Sequence, residues 1–218
     1  VRARQPEQKA ERREHLLTTA RAMLESGEDV RTLSLNALAR RAKMTKSNVY
    51  RYFESREAVL LALLEQEWAA WGDDVRSALP IRQGGHKTQP EVLVARCFAR
   101  TLVRRPLLCL LMSVLCSVVE QNVSEEVLGA FKRGGLEFAN TLAVFVETTL
   151  PGTSRHMWLH LILDVPVVVT GLYPFAHPAP NAQRAMQDPE LHVFRRSFER
   201  DVERFLHALA ICMHGSSG

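Results

Sequence analysis

Lys46, Ser47, Asn48 and Arg51 are four hydrogen-bonding side chains within six residues, interleaved with Val49 and followed by Phe53. On a helix, Val49 and Phe53 share a face because they are four apart, and the polar groups can then point the other way. Lys46 and Arg51 are the types that donate to the edge of guanine, and Asn48 the type that pairs with adenine, although either cation serves equally to touch a phosphate. The sequence leaves these two roles open. Thr45 and Ser47 stand where the same helix starts, so free backbone amides and the helix dipole favour an anion there. The surroundings match this chemistry: between Arg31 and Arg56 lie Arg31, Arg40, Arg41, Lys43, Lys46, Arg51 and Arg56, with Glu54 as the single acid.

The charge is uneven along the chain. Residues 1–60 hold 13 Lys or Arg against 8 Asp or Glu, whereas the remaining 158 residues hold 15 against 16, within a total of +4. An anionic partner for the front of the chain follows as the expectation, since surface charge sets partners rather than folds. At the N-terminus itself, Arg2, Arg4, Lys9, Arg12 and Arg13 outnumber Glu7 and Glu11. This arm either tracks the minor groove or backbone of a duplex or is a tail that touches nothing.

Other constellations are thinner. His156, His160 and Asp164 recur every four residues, a spacing that can offer two imidazoles and a carboxylate to a metal, or form a stripe at a subunit interface. No Gly-rich phosphate loop or second carboxylate cluster accompanies them, so enzymatic chemistry, a metal and a cofactor are not expected. Cys97, Cys109, Cys116 and Cys212 contain no two-residue pair of the zinc or redox kind and read mostly as reduced residues of the core, with Cys109 and Cys116 on one helix face; a thiol sensor is the alternative, which nothing in the sequence favours.

The elements that must hold these groups are helices. With 218 residues, 46% hydrophobic and 24% charged, the chain is long enough for one large or two small domains, and 11 glycines argue against turn-rich β architectures. The periodicity predicts an all-α fold of about nine helices. The first runs from about Pro6 to Ser26 on Leu16, Ala20, Met23 and Leu24, and Gly27 stops it. The second follows the N-cap Ser34, with Leu33 stapled onto Leu38; the third follows the N-cap Thr45; the fourth starts at Ser55 and passes Trp68 and Trp71. Pro80 and Gln83–Gly85 mark a linker. Further helices are predicted over 90–104, 106–121, 124–149, 155–173 (kinked at Pro166 and Gly171) and 189–213, the last carrying a seam from Leu191 through Phe194 and Phe198 to Cys212. Two short helices around a tight turn, in a bundle of three with a basic outer face, is an arrangement that lets one helix enter the DNA major groove.

The stretch Leu33-Ser-Leu-Asn-Ala-Leu-Ala-Arg-Arg-Ala-Lys-Met-Thr-Lys-Ser-Asn-Val-Tyr-Arg-Tyr-Phe53, continued by Glu-Ser-Arg-Glu-Ala-Val-Leu60, resembles the TetR family of bacterial transcriptional regulators. Tyr50-Arg-Tyr-Phe53 and Ser55-Arg-Glu57 carry the resemblance most specifically, and it covers about residues 8–68. It implies that Thr45, Lys46, Ser47 and Asn48 approach bases or phosphates, Tyr50 and Tyr52 the backbone, and Ser34 and Arg56 flanking phosphates. One departure is Lys43, which occupies the turn position where the family commonly has glycine; it adds a cation near the groove. The division expected is an arm and helix-turn-helix domain over 1–54 (the motif over about 34–53), a connecting helix over 55–80, and a helical ligand-binding and dimerisation domain over 81–218.

For the second half the resemblance implies a small-molecule effector and a homodimer formed through the last two long helices. Dimerisation follows from DNA geometry as well, because two half-sites about 34 Å apart multiply affinity and selectivity. Met112, Cys116, Phe138, Phe145, Trp158, His160, Asp164 and Tyr173 are candidates for the wall of a mainly apolar pocket, or simply core, and Glu137 and Asn140 either orient a ligand or face solvent. The function expected is a DNA-binding regulator, a repressor released from a near-palindromic operator by its ligand. Competing readings are a metal-dependent hydrolase built on the His156/His160/Asp164 face, an architectural DNA protein without a switch, and a helical hairpin with no DNA role. Pro106–Val119, the most apolar stretch, is shorter than the ~20 residues of a bilayer span, and Val1 opens a charged segment, so no membrane partner and a cytoplasmic location are expected.

Overall fold

A computed structural model describes residues 4–79 and 89–215, with side chains over 7–79 and 89–213. Arg2, the side chain of Arg4, and the linker residues Pro80 and Gln83–Gly85 lie outside the described residues. Among the described residues every regular element is helical, with ten α-helices and no strand. They are α1 (Arg4–Glu25), α2 (Leu35–Arg41), α3 (Lys46–Tyr50), α4 (Arg56–Ala78), α5 (Pro90–Val103), α6 (Pro106–Val114), α7 (Glu125–Thr149), α8 (Arg155–Ala176), α9 (Pro180–Ala185) and α10 (Phe198–Gly215). The chain forms two compact units: one holds the residues up to Gln66 together with Val114–Lys132, the other Glu67–Ser113 and Arg133–Gly218.

In the first unit α2, α3 and α4 each begin on a side-chain cap. Ser34 Oγ accepts the Ala37 N–H at 3.1 Å, Thr45 Oγ1 accepts Asn48 N–H at 3.3 Å, and Ser55 Oγ accepts Ala58 N–H at 3.1 Å. Each bond satisfies an amide that the helix itself leaves open, an effect of roughly 1 kcal/mol. Leu16, Leu17, Ala20 and Met23 of α1, Leu35 and Leu38 of α2, Val49 and Phe53, and Val59 to Leu64 of α4 are all buried. Leu33, on the residue before the α2 cap, is buried with Leu38 as a staple requires. Gln66 Nε2 donates to Glu14 Oε2 at 2.8 Å and His15 Nε2 contacts the Ala42 carbonyl at 3.1 Å, which ties α1 to α4 and to the end of α2. α1 begins at Arg4, two residues before the predicted start at Pro6, and Lys9, Arg12 and Arg13 lie within it as that prediction requires.

In the second unit α10 packs on α5 and α8. Trp71 is enclosed: its indole N–H donates to Thr101 Oγ1 at 2.9 Å and its ring meets Phe98 edge-on at 5.1 Å. Arg105 bridges Asp74 at 2.6 Å and the buried Glu67 at 3.5 Å. α8 runs unbroken through Pro166 and Pro174 to Ala176.

Three local expectations are corrected. The predicted helix over 106–121 leaves α geometry after Val114, passing through a π-helical segment, Leu115–Val119, and a 3-10 turn, Glu120–Asn122. A π turn adds a residue per turn, so the seven-residue spacing no longer returns to one face: Cys109 is buried and Cys116 is exposed. The last helix starts at Phe198, not 189. Pro189–Phe194 is a separate 3-10 turn capped by Asp188, closed by the Arg195 guanidinium on the Met186 carbonyl, and it places Val193 and Phe194 in solvent. Finally, α8 is 22 residues long with a mean hydropathy of 1.6 over its most apolar window, so by length and composition one helix does reach a bilayer span; only 22% of that window is buried.

Candidate nucleic-acid interface

Around α3 the polar and apolar faces separate as their spacing requires. Val49 is fully enclosed and Phe53 is 4% exposed, whereas Tyr50 on the opposite side is 48% exposed. Lys43, Thr45, Lys46, Ser47 and Arg51 are exposed, and Asn48 and Tyr52 half-buried. Burying Phe53 contributes about 2 kcal/mol, and that anchoring is what projects the outer face. Thr45 Oγ1 and Ser47 Oγ lie 3.2 Å apart at the helix start, and Lys46 Nζ sits 5.6 Å above the Tyr50 ring, a cation–π contact that pre-orients both groups.

Lys43 adopts φ +55°, the one non-glycine residue with positive φ among the described residues. The turn between α2 and α3 therefore keeps the left-handed geometry that glycine normally supplies, at a cost of roughly 1 kcal/mol for the lysine.

The cations divide into two groups. Arg41 pairs with Glu28 at 3.3 Å, and Arg56 is drawn inward, donating to Glu57 Oε1 at 2.5 Å and to the Arg31 carbonyl. Arg31, Arg40, Lys43, Lys46 and Arg51 make no ion pair among the described residues. A cluster of unneutralised cations beside an exposed helix is suited to a polyanion. The sequence reading did not identify Gln8, Lys9 and Arg12 of α1 as neighbours of Arg51 and Tyr52, yet all five line one cleft of about 410 Å³. Their signal was the four-residue step from Gln8 to Arg12 on the α1 face that also carries Leu16.

The candidates for a ligand wall are scattered. Met112 and Trp158 are buried; Phe138, Phe145 and Tyr173 are half-buried. Phe138 stacks on Trp68 with centroids 6.2 Å apart, and Tyr173 meets Phe198 edge-on at 5.3 Å, its hydroxyl pKa raised by burial and by the nearby Cys109. The Trp158 indole N–H is buried without a hydrogen-bond partner. Cys116 and His160 are exposed, Glu137 is exposed, and Asn140 accepts from Arg155 at 3.0 Å. His156 and His160 meet ring edge to ring face at 4.4 Å, but no group of three donors that could hold a metal forms among the described residues.

No curated protein matches the chain. Among solved structures it is similar to SmeT, described as the repressor of the Stenotrophomonas maltophilia multidrug efflux pump SmeDEF, at 18% identity over 92% of this chain and 88% of that one, with a TM-score of 0.48. The family model for bacterial regulatory proteins of the tetR family matches residues 16–63, which enclose α2, α3 and the start of α4. The model for the tetracyclin repressor-like C-terminal domain matches residues 65–215. With both halves matched and the helix-turn-helix face built as described, the chain belongs to the TetR family and is a DNA-binding regulator.

Proposed function

We propose that the chain is a repressor, a homodimer that binds a near-palindromic operator and leaves it when a small, largely apolar ligand occupies its second half. The observation that carries this reading is the α3 face: polar and cationic residues held outward by the enclosed Val49 and Phe53, with Lys46 and Arg51 in no ion pair among the described residues. Thr45, Lys46, Ser47, Asn48 and Arg51 are assigned to bases or phosphates, Tyr50 and Tyr52 to the backbone, and Ser34, Lys43 and Arg56 to flanking phosphates. In this division residues 1–54 read the duplex, 55–80 connect, and 81–218 bind ligand and dimerise. A duplex partner places the work in the cytoplasm.

The dimer is assigned to α8 and α10. Leu163 and Val167 of α8 and Phe205 and Ile211 of α10 are large apolar side chains left exposed, which is what a subunit contact would cover. The ligand reading rests on the apolar side chains of α6 to α8 and on Trp158, whose unpaired indole N–H would meet an acceptor on the ligand. A ligand moves the equilibrium only as far as it prefers the released state, and about 100-fold preference gives a useful shift.

Selection of duplexes from a random pool by the full chain tests the reading. Enrichment of a two-fold symmetric site, bound ~10³ times more tightly than random DNA, is expected; equal affinity for all duplexes would leave an architectural protein instead. Compounds that raise the melting temperature should then release that site, and Trp158→Phe should weaken the release while leaving DNA binding intact.

A further inference from the structure

We propose that α1 and the C-terminal end of α3 together form a phosphodiester cradle, in which Lys9, Arg12 and Arg51 hold one backbone phosphate of the duplex beside Tyr52. The inference rests on the DNA-binding reading above and extends it to a helix that the motif does not include. Its basis is convergence. Gln8, Lys9 and Arg12 come from α1, Arg51 and Tyr52 from some forty residues later, and the five line a single cleft of about 410 Å³. Three of them are cations. None makes an ion pair among the described residues, and Glu7 and Glu11 of α1 do not line the cleft. Like charges gathered around a concavity repel one another unless an anion sits among them.

The cleft is also held in shape. Immediately after Arg12, the Arg13 guanidinium lies 5.1 Å over the ring of Phe53, two residues beyond Arg51, and a turn further on Leu16 is fully buried. His15 fixes the same stretch to the Ala42 carbonyl. The cations are therefore presented by a fixed helix, so little ordering is lost on binding. Gln8 and the Tyr52 hydroxyl add neutral hydrogen-bonding groups, the mixture common at backbone phosphates. A contact of this kind adds affinity and orientation without reading sequence.

The test uses the full chain and the duplex it selects from a random pool. Affinity is measured from about 50 to about 200 mM salt for the wild type and for Lys9→Gln combined with Arg12→Gln; both side chains are exposed, and thermal melting checks that the fold is retained. The cradle predicts at least a tenfold loss of affinity at the lower salt, a slope of log affinity against log salt shallower by about 1, an unchanged preferred sequence, and the loss of one position from phosphate-ethylation interference. Unchanged affinity and slope on the selected duplex overturn the cradle and leave the DNA reading standing. A changed preferred sequence with an unchanged slope also overturns it, making these base contacts. Failure to bind any duplex of the pool overturns the DNA reading, and the cradle with it.

Discussion

Lys43 is a residue in tension between two demands. Its φ of +55° is a conformation in which a side chain is strained, and its position in the turn before α3 puts its charge beside that helix. Lys43→Gly is expected to stabilise the chain by about 1 kcal/mol, seen as a rise of a few degrees in melting temperature, and to weaken DNA binding with a shallower salt dependence. A gain in both stability and affinity would show that the cation has no phosphate to meet. The cysteines divide by burial in the same residue-by-residue way. Burial pushes the Cys97 thiol up to about 11, against the pull of Arg104 and Arg100, and burial with the nearby Glu67 pushes Cys109 up to about 12. A raised pKa leaves less thiolate, the reactive form, so alkylation near pH 8 should label the exposed Cys116 and Cys212 and spare Cys97 and Cys109 until the chain is denatured, as mass spectrometry would read. At this scale the α3 face was legible from residue types alone, because Val49 and Phe53 four apart leave the polar groups nowhere else to go. The turn strain was visible only as a lysine where glycine is expected.

Helices with strong local signals appear where the sequence places them: Ser34, Thr45 and Ser55 begin α2, α3 and α4 because each offers an oxygen to an amide three residues on. The π segment at Leu115–Val119 was not legible, since an extra residue in one turn leaves the apolar composition unchanged. Nor was the break before α10, where Asp188 caps the Pro189–Phe194 turn and Arg195 reaches the Met186 carbonyl nine residues back, a contact outside the helical period. Apolar residues of a core and of a ligand wall are of one type, which is why Met112 and Trp158 could be named but not assigned. Helix packing also explains two glycines within helices. A Cβ on Gly72 of α4 would come 2.8 Å from Phe138 of α7, and one on Gly135 of α7 would come 3.0 Å from Trp68 of α4. Alanine ordinarily favours a helix over glycine by about 1 kcal/mol, so a surface site would gain from the change. Here Gly72→Ala should instead destabilise by about 1–3 kcal/mol, because the stacked rings of Trp68 and Phe138 must shift, and Gly135→Ala by less; urea unfolding midpoints measure both.

At the scale of the whole molecule α8 carries apolar surface that its own chain does not cover. This helix has two apolar sides. Trp158, Leu161, Ile162, Val165 and Val169 are buried, while Leu163 and Val167 face outward with Val167 69% exposed, and Ile211 of α10 is half exposed. A helix apolar on both sides is unusual on a surface and explains its high hydropathy without a bilayer, if a second copy closes over it. The edge-to-face His156 and His160 pair continues the same outward stripe one and two turns earlier, which suits an interface better than a metal. Val167→Glu puts a carboxylate into that contact twice, once from each subunit, and a buried unpaired charge costs several kcal/mol. The variant should sediment as a monomer at micromolar concentration where the wild type is expected to sediment as a dimer, with its secondary structure kept because Val167 is 69% exposed in its own chain. Half-sites about 34 Å apart are then bound independently, and operator affinity should fall by at least 100-fold while binding to random DNA falls far less. A variant that stays dimeric and keeps its operator would place the subunit contact on another face and leave the outer side of α8 without an explanation.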